Sequence, residues 1–102
     1  MKIDIIQAPS KTFIRMLMNN ISSGAKEEVQ LGKWGAVGLV QAHLIELYCA
    51  ADMAEKASDV KAVLVSGNCP QHVQMLALFG NPSAVKAAID KIRNYYRVQQ
   101  GI

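Results

Sequence analysis

The chain has 102 residues, a formal net charge of +3 and a hydrophobic fraction of 51 %, while aromatic residues contribute only 6 %. This length fits one domain, and so small a domain cannot bury all of its aliphatic surplus, so we expect part of it to contact other subunits. No apolar run reaches the ~20 residues of a membrane span, no secretory signal opens the chain, and the basic residues are scattered, which together predict an intracellular protein that does not bind nucleic acid.

The first third of the chain predicts two strands and a helix. Lys2–Ala8 is rich in isoleucine and partly alternates, which favours a short strand that ends at Pro9. Lys11–Met18 also alternates between two faces and predicts a second strand. Ser22–Leu31 predicts a helix, with Gly32 as its stop signal.

The middle of the chain predicts a strand followed by a long helix. Trp34–Ala42 has the apolar character of a strand, and Gly35 and Gly38 would let another element approach its backbone closely. His43–Ser58 has apolar residues at helical spacing and predicts an amphipathic helix.

The last part of the chain predicts a strand pair and a final helix. Val60–Ser66 and His72–Phe79 are apolar strands joined by the turn-forming segment Gly67–Gln71. Asn81 is a favourable N-cap for a helix that begins at Pro82 and runs to about Tyr96. The resulting order is strand, strand, helix, strand, helix, strand, strand, helix. We therefore expect an α+β domain with one mainly antiparallel sheet and helices on one face.

Three segments, in this order, resemble the bacterial microcompartment (BMC) shell domain. GAVGLV at Gly35–Val40 is similar to the first strand of that family, and AADMAEKASDV at Ala50–Val60 to its first helix and the following strand. GNPSAVKAAID at Gly80–Asp90 is similar to the start of its second helix. The resemblance implies a wedge-shaped subunit of a cyclic hexamer, which packs with other shell proteins around enzymes in the bacterial cytoplasm.

The order of the segments departs from the usual one, because ordinary members begin near the GAVGLV-like strand and end with a further strand and helix. The resemblance implies a circular permutation within a single domain, residues 1–102, with the missing strand and helix at 11–32 and the main BMC portion at 33–102. Ile5–Lys11 also resembles the opening of permuted members, so residues 1–10 could supply an N-terminal strand of a small barrel on the axis.

The segment between the last two predicted strands is the most specific motif. It reads GNCPQ and consists of Gly67, Asn68, Cys69, Pro70 and Gln71. It resembles the pore loop of the U-type shell proteins of glycyl-radical-enzyme microcompartments. This resemblance implies an iron–sulfur cluster, with [4Fe–4S] the expected type, held on the central axis by Cys69 thiolates of several subunits, because one thiolate cannot hold a cluster. The cluster would carry electrons across the shell or be delivered to enclosed enzymes, such as a glycyl radical enzyme system.

Other interpretations of this segment stay open. A lone cysteine in a loop is often an incidental thiol, and the chain would then be a plain shell tile whose GNCPQ loop lines a metabolite pore. Cys69 and His72 form half of a zinc-binding pattern that neighbouring subunits could complete, although a local hydrogen bond by His72 is the simpler interpretation. A third hypothesis is a small oligomeric regulatory domain that senses metal or redox state. The sequence patterns of a nucleophile elbow, a phosphate loop or paired carboxylates are absent, so we do not expect an enzyme.

Several further residues carry expectations. Cys49 has apolar neighbours in a predicted helix and should be a core residue, whereas His43 should be a cap or surface residue. Lys56 matches the lysine that the family uses at the tile edge, although a single helical lysine is usually only solvated. Phe79 stands where ordinary members have an edge arginine, which puts the ordinary contact between tiles in doubt. The two tyrosines of Asn94–Arg97 could stack at an interface.

Overall fold

The structure is a computed structural model that describes residues 1–31, 34–66 and 73–100. Its elements are β1 (Lys2–Gln7), α1 (Lys11–Met18), α2 (Ser23–Leu31), β2 (Ala36–His43), α3 (Leu44–Ala57), β3 (Lys61–Val65), β4 (Val73–Gly80) and α4 (Pro82–Gln100). The strands form one antiparallel sheet in the order β1-β2-β4-β3. The expected α+β class and antiparallel sheet are confirmed.

The segment Lys11–Met18 forms helix α1, so the prediction of a second strand there is wrong. The Oγ atom of Ser10 accepts a hydrogen bond from the N–H of Phe13 at 3.1 Å and caps the helix start. At the other end, the Nδ2 atom of Asn20 donates to the carbonyl of Met16 at 2.9 Å. The apolar residues of one helix face meet the sheet; they are Phe13, Ile14, Leu17 and Met18. The cap and this helical spacing outweigh the partial alternation that suggested a strand.

The strand that precedes the family-like segment is therefore Lys2–Gln7. It pairs antiparallel with β2, from Lys2 opposite Gln41 to Gln7 opposite Ala36. Ile3 and Ile5 pack against the core of the domain, which ties β1 to the main sheet. A barrel strand from residues 1–10 on the axis depends on neighbouring subunits and stays a prediction.

Helices pack on both faces of the sheet, so the expectation of helices on one face is wrong. The first core lies between the sheet and helices α3 and α4, and its fully buried members include Val40, Leu47, Leu78, Ile89 and Ile92. The second core lies on the opposite face under α1 and α2, and its buried members include Leu17, Val29, Val37, Val63 and Phe79. The second core exists because α1 is a helix with an apolar face.

The close contact between β2 and α4 depends on Gly38. A Cβ atom on Gly38 would lie 3.1 Å from side-chain atoms of both Val85 and Ile89, so a larger residue would push the helix away. The start of α4 is as expected, because the Oδ1 atom of Asn81 accepts a hydrogen bond from the N–H of Ala84 at 2.8 Å. The expected close approach at Gly38 is thus confirmed.

Candidate functional site

The GNCPQ segment, including Cys69, lies outside the described residues, as does His72. The strands on either side of it are described, and they pair from Lys61 opposite Phe79 to Val65 opposite Met75. Ser66 and Val73, the described residues on either side of the segment, therefore lie at the same end of the sheet.

That end of the sheet carries several polar groups. His43, the last residue of β2, is the register partner of Val73, and Lys2 begins β1 opposite Gln41 nearby. The backbone N–H of His43 donates to the Oε1 atom of Glu46 at 3.1 Å, and its ring Nδ1 lies 3.4 Å from the same oxygen. His43 is thus an exposed cap of α3, as predicted.

Within residues 1–31, 34–66 and 73–100, no group of three or more His, Cys, Asp or Glu side chains could hold a metal ion. The GNCPQ segment has a single cysteine, so a cluster held there by several thiolates would need ligands from more than one chain. A thiolate is the ligand that iron–sulfur clusters prefer, so the donor type of Cys69 fits such a group.

Cys49 is an exposed free thiol, so the prediction that it belongs to the core is wrong. The buried positions of α3 are Leu47, Ala50 and Ala54, which face the sheet. Cys49 is two residues from Leu47, a rotation of about 200° around a helix, and therefore faces away from the sheet. It lines an open hollow between α3 and α4 together with Tyr48, Asp52, Met53 and Tyr95.

The adjacent tyrosines Tyr95 and Tyr96 have different environments. Tyr96 is buried, and its hydroxyl donates to the carbonyl of Glu46 at 3.0 Å. Burial, followed by the nearby Cys49 and Glu46, raises the pKa of Tyr96 to about 12. Tyr95 is exposed, and its ring meets that of Tyr96 edge to face at 5.0 Å. Stacking of these rings across a subunit interface stays a prediction.

Lys56 and Phe79, which the family pattern connects with the tile edge, differ in exposure. The side chain of Lys56 is 76 % exposed, and its Nζ atom lies 2.8 Å from the Oδ2 atom of Asp52, one helical turn earlier. Its role at a tile edge stays a prediction. Phe79 is buried in the second core and meets Trp34 edge to face at 5.1 Å. Phe79 therefore cannot replace a surface arginine in a contact between tiles.

No motif in the sequence indicates the side chains that cover part of the outer edge of β3. The Oε2 atom of Glu55 on α3 accepts a hydrogen bond from the backbone N–H of Ala62 at 2.9 Å. The Nζ atom of Lys61 lies 2.6 Å from the Oε2 atom of Glu28 on α2, and this hydrogen bond is the main cause of the raised pKa of Lys61. These contacts join different elements, so no local spacing in the sequence indicates them.

The comparisons with known proteins identify the family. A family model described as the BMC domain matches residues 36–102, which is more than half of the chain. The chain belongs to the BMC domain family. No curated protein matches it.

Similar solved structures extend over the whole domain. The ligand-free GrpU microcompartment shell protein from Pectobacterium wasabiae is 28 % identical with a TM-score of 0.76, and the match covers 90 % of this chain and 99 % of that one. The ligand-free GrpU microcompartment shell protein from Clostridiales bacterium 1_7_47FAA is 32 % identical with a TM-score of 0.67, covering 94 % and 95 % of the two chains. These matches include most of the residues before the BMC model begins.

A third solved structure shows the fold alone. It is the fused permuted hexameric shell protein MSM0275 from the RMM microcompartment, with 22 % identity, a TM-score of 0.71 and coverage of 98 % of this chain and 48 % of that one. With the family assignment, these relatives make this BMC protein a structural shell component of a microcompartment, which favours the shell interpretations over a regulatory domain. None of the described helices is long and apolar enough to cross a membrane.

Proposed function

We propose that this BMC protein closes into a cyclic hexameric tile and binds an iron–sulfur cluster on the central axis through the Cys69 thiolates of several subunits. The observation that supports this proposal is the position of GNCPQ, whose single thiol lies in the segment joining β3 and β4 of a BMC domain. In a closed ring, each subunit would bring one copy of that thiol to the axis.

The ring proposal draws on the relatives and on the topology. The similar protein MSM0275 is described as permuted and hexameric, and this chain also places a strand and helices before its BMC-like segment. We propose the same permutation here, with β1, α1 and α2 as the displaced portion and the remaining elements as the main portion of one domain.

A cluster bound at the axis would supply one-electron transfer. The chain itself would supply the thiolates of Cys69 and the fixed ends of β3 and β4 that position them. The proposed role is electron transfer across the shell of a cytoplasmic microcompartment or delivery of the cluster to enclosed redox enzymes, of which a glycyl radical enzyme system is the proposed partner.

A plain shell tile is the second candidate function. The observation that favours it is that each chain brings a single cysteine to the GNCPQ segment, and that the described residues add no group of metal ligands. In that case GNCPQ lines a pore for small metabolites, and the ring forms without any cluster.

Anaerobic purification followed by reconstitution with iron and sulfide tests the proposal. The visible and electron paramagnetic resonance spectra should show a cluster in the unsubstituted protein and in Cys49→Ser, and no cluster in Cys69→Ser. A colourless unsubstituted protein that still forms hexamers in native mass spectrometry would support the plain tile instead.

Metal analysis and size complete the test. Zinc bound in place of iron, and lost in His72→Ala, would support the zinc alternative at Cys69 and His72. A stable monomer in native mass spectrometry would contradict both shell candidates.

A further inference from the structure

We propose that the outer edge of β1 binds the same edge of a second copy of this chain, with the two β1 strands antiparallel and Ile3 facing Ile3 of the second copy. We call this pairing the Ile3-centred register. The sheet order β1-β2-β4-β3 leaves β1 and β3 as its edge strands. An edge strand with unpaired backbone groups is a template for another strand.

The backbone of β1 offers such groups. In an antiparallel ladder, the backbone N–H and C=O groups of one residue point towards the paired strand, and those of the next residue point to the opposite side. The N–H of Ala8 donates to the carbonyl of Gly35 at 2.9 Å, which continues the ladder between β1 and β2. The alternation then points the backbone groups of Ile3, Ile5 and Gln7 away from β2. Apart from the ladder with β2, no hydrogen bond joins these three N–H groups to an acceptor among the described residues.

The β3 edge is not an equivalent partner for β1. Its Ala62 N–H already donates to Glu55, and the N–H of Ser66 donates to the carbonyl of Asn20 at 2.7 Å. A strand added to β3 would have to displace these bonds. The open β1 edge of a second copy needs no displacement, which favours pairing of β1 with β1.

The charges on β1 select the register of this pairing. Lys2 and Asp4 are exposed and lie two positions apart, so they share one face of the strand. In the Ile3-centred register, each Lys2 lies directly opposite Asp4 of the second copy, which gives two ion pairs across a two-fold axis. Centring on Asp4 would place two carboxylates opposite each other, at about 4.5 Å between Cα atoms. Centring on Ile5 would place Asp4 opposite Ile6 of the second copy and leave no charge pair.

This two-fold contact differs from the contacts of a cyclic ring. A ring is built from heterologous contacts, whereas pairing of β1 with itself is isologous and closes after two copies. The proposal therefore goes beyond ring closure and cluster binding, and it would connect one ring to another through a continuous sheet.

A charge-swap series tests the pairing of β1 edges. The variants are Lys2→Asp, Asp4→Lys and the double variant that carries both changes, all at exposed positions. Sedimentation velocity over a concentration series should show pairing weakened about tenfold in each single variant, because two attractive pairs become repulsive. The double variant restores both pairs and should return to within about twofold of the unsubstituted protein.

The outcomes separate this inference from the proposed function. Single variants that associate as strongly as the unsubstituted protein, or a double variant as weak as the singles, would overturn the register. Native mass spectrometry of the same samples reports ring formation independently, so loss of the hexamer would count against the proposed function and not against the β1 pairing.

Cross-linking gives a second, geometric test. In a background carrying Cys49→Ser and Cys69→Ser, the double variant Lys2→Cys plus Asp4→Cys should form covalent pairs of chains on oxidation. The opposed positions would lie about 4.5 Å apart between Cα atoms, within the range of a disulfide. Each single cysteine variant is the matched control and should stay uncross-linked, because the two copies of the same position are offset by two residues, about 7 Å, along the strands. Equal cross-linking in the single variants would overturn the Ile3-centred register.

Discussion

The two edges of the sheet differ in how the rest of the chain covers them. At β3, Glu55 and Asn20 accept hydrogen bonds from outward-facing N–H groups, and Lys61 is paired with Glu28. At β1, no hydrogen bond outside the ladder with β2 joins the N–H groups of Ile3, Ile5 and Gln7 to an acceptor among the described residues. The β3 edge is therefore partly covered by other elements of the chain, whereas no such cover is present at the β1 edge among the described residues.

One cause of this difference is the position of α1 and α2. Their apolar residues pack on β2, β3 and β4 in the second core, and no residue of β1 belongs to that core. β1 is supported from the opposite face, where Ile3 and Ile5 pack against the first core. One face of β1 packs on the first core, and its outer edge is open. A second strand paired at that edge would add backbone hydrogen bonds and bury the strand further.

The largest expected effect concerns the core beneath each edge. Phe79→Ala should lower the free energy of unfolding by about 3–5 kcal/mol, because it leaves a cavity beside Trp34 in the second core. Ile3→Ala should cost about 1–2 kcal/mol, because Ile3 is only half-buried on β1. Urea denaturation measures both variants. Equal losses would show that the core next to β3 and β4 is not packed more tightly than the core next to β1.

The pH dependence of stability tests the burial of Tyr96 between α4 and α3, on the sheet face where β1 is packed. The folded chain raises the pKa of Tyr96 from 10.0 to about 12, chiefly through burial. The unfolded chain therefore loses this proton first, so the stabilisation is fully present below pH 10 and is lost as the pH rises through about 12. The loss should be on the order of 2 kcal/mol. Urea midpoints across this range should fall more steeply for the unsubstituted protein than for Tyr96→Phe, and parallel curves would contradict the assignment.

A smaller effect tests the closure of the β3 edge. Glu55→Ala should cost about 1 kcal/mol of stability, because it removes the acceptor of the Ala62 N–H. Glu55→Gln keeps an oxygen in that place and is the matched control, with a smaller loss. Amide hydrogen exchange should be faster at Ala62 in Glu55→Ala alone. An unchanged exchange rate there would show that Glu55 does not close this edge.

The smallest expected effect is local to β1. Asp4→Lys is an exposed substitution that should change the stability of one chain by no more than about 0.5 kcal/mol. By weakening the pairing of β1 edges, it should release the amides of Ile3 and Ile5 to fast hydrogen exchange, while Ile6 and Ala8 stay protected by β2. Uniform protection of all four amides in this variant would show that the outer groups have another partner.

Much of the fold could be predicted from the sequence because its signals are local. The isoleucine-rich Lys2–Ala8, the amphipathic His43–Ser58 and the Asn81 cap each predict an element that the structure contains, with ends shifted by a few residues. The GAVGLV, AADMAEKASDV and GNPSAVKAAID segments also indicated the family that the BMC model confirms. The roles of Cys69 and Lys56 stay predictions, because they depend on neighbouring subunits.

The sequence by itself therefore determined the family, the α+β class and most of the elements of this protein, since cap residues and apolar periodicity act over a few residues. Only the tertiary structure decided that Lys11–Met18 is a helix, that Cys49 faces away from the sheet and that β1 belongs to the sheet. It also decided which edge is closed, because Glu55 and Asn20 reach β3 only after α3 and α1 have packed on opposite faces. Such contacts depend on the packing of distant segments, and the local pattern of residues does not record them.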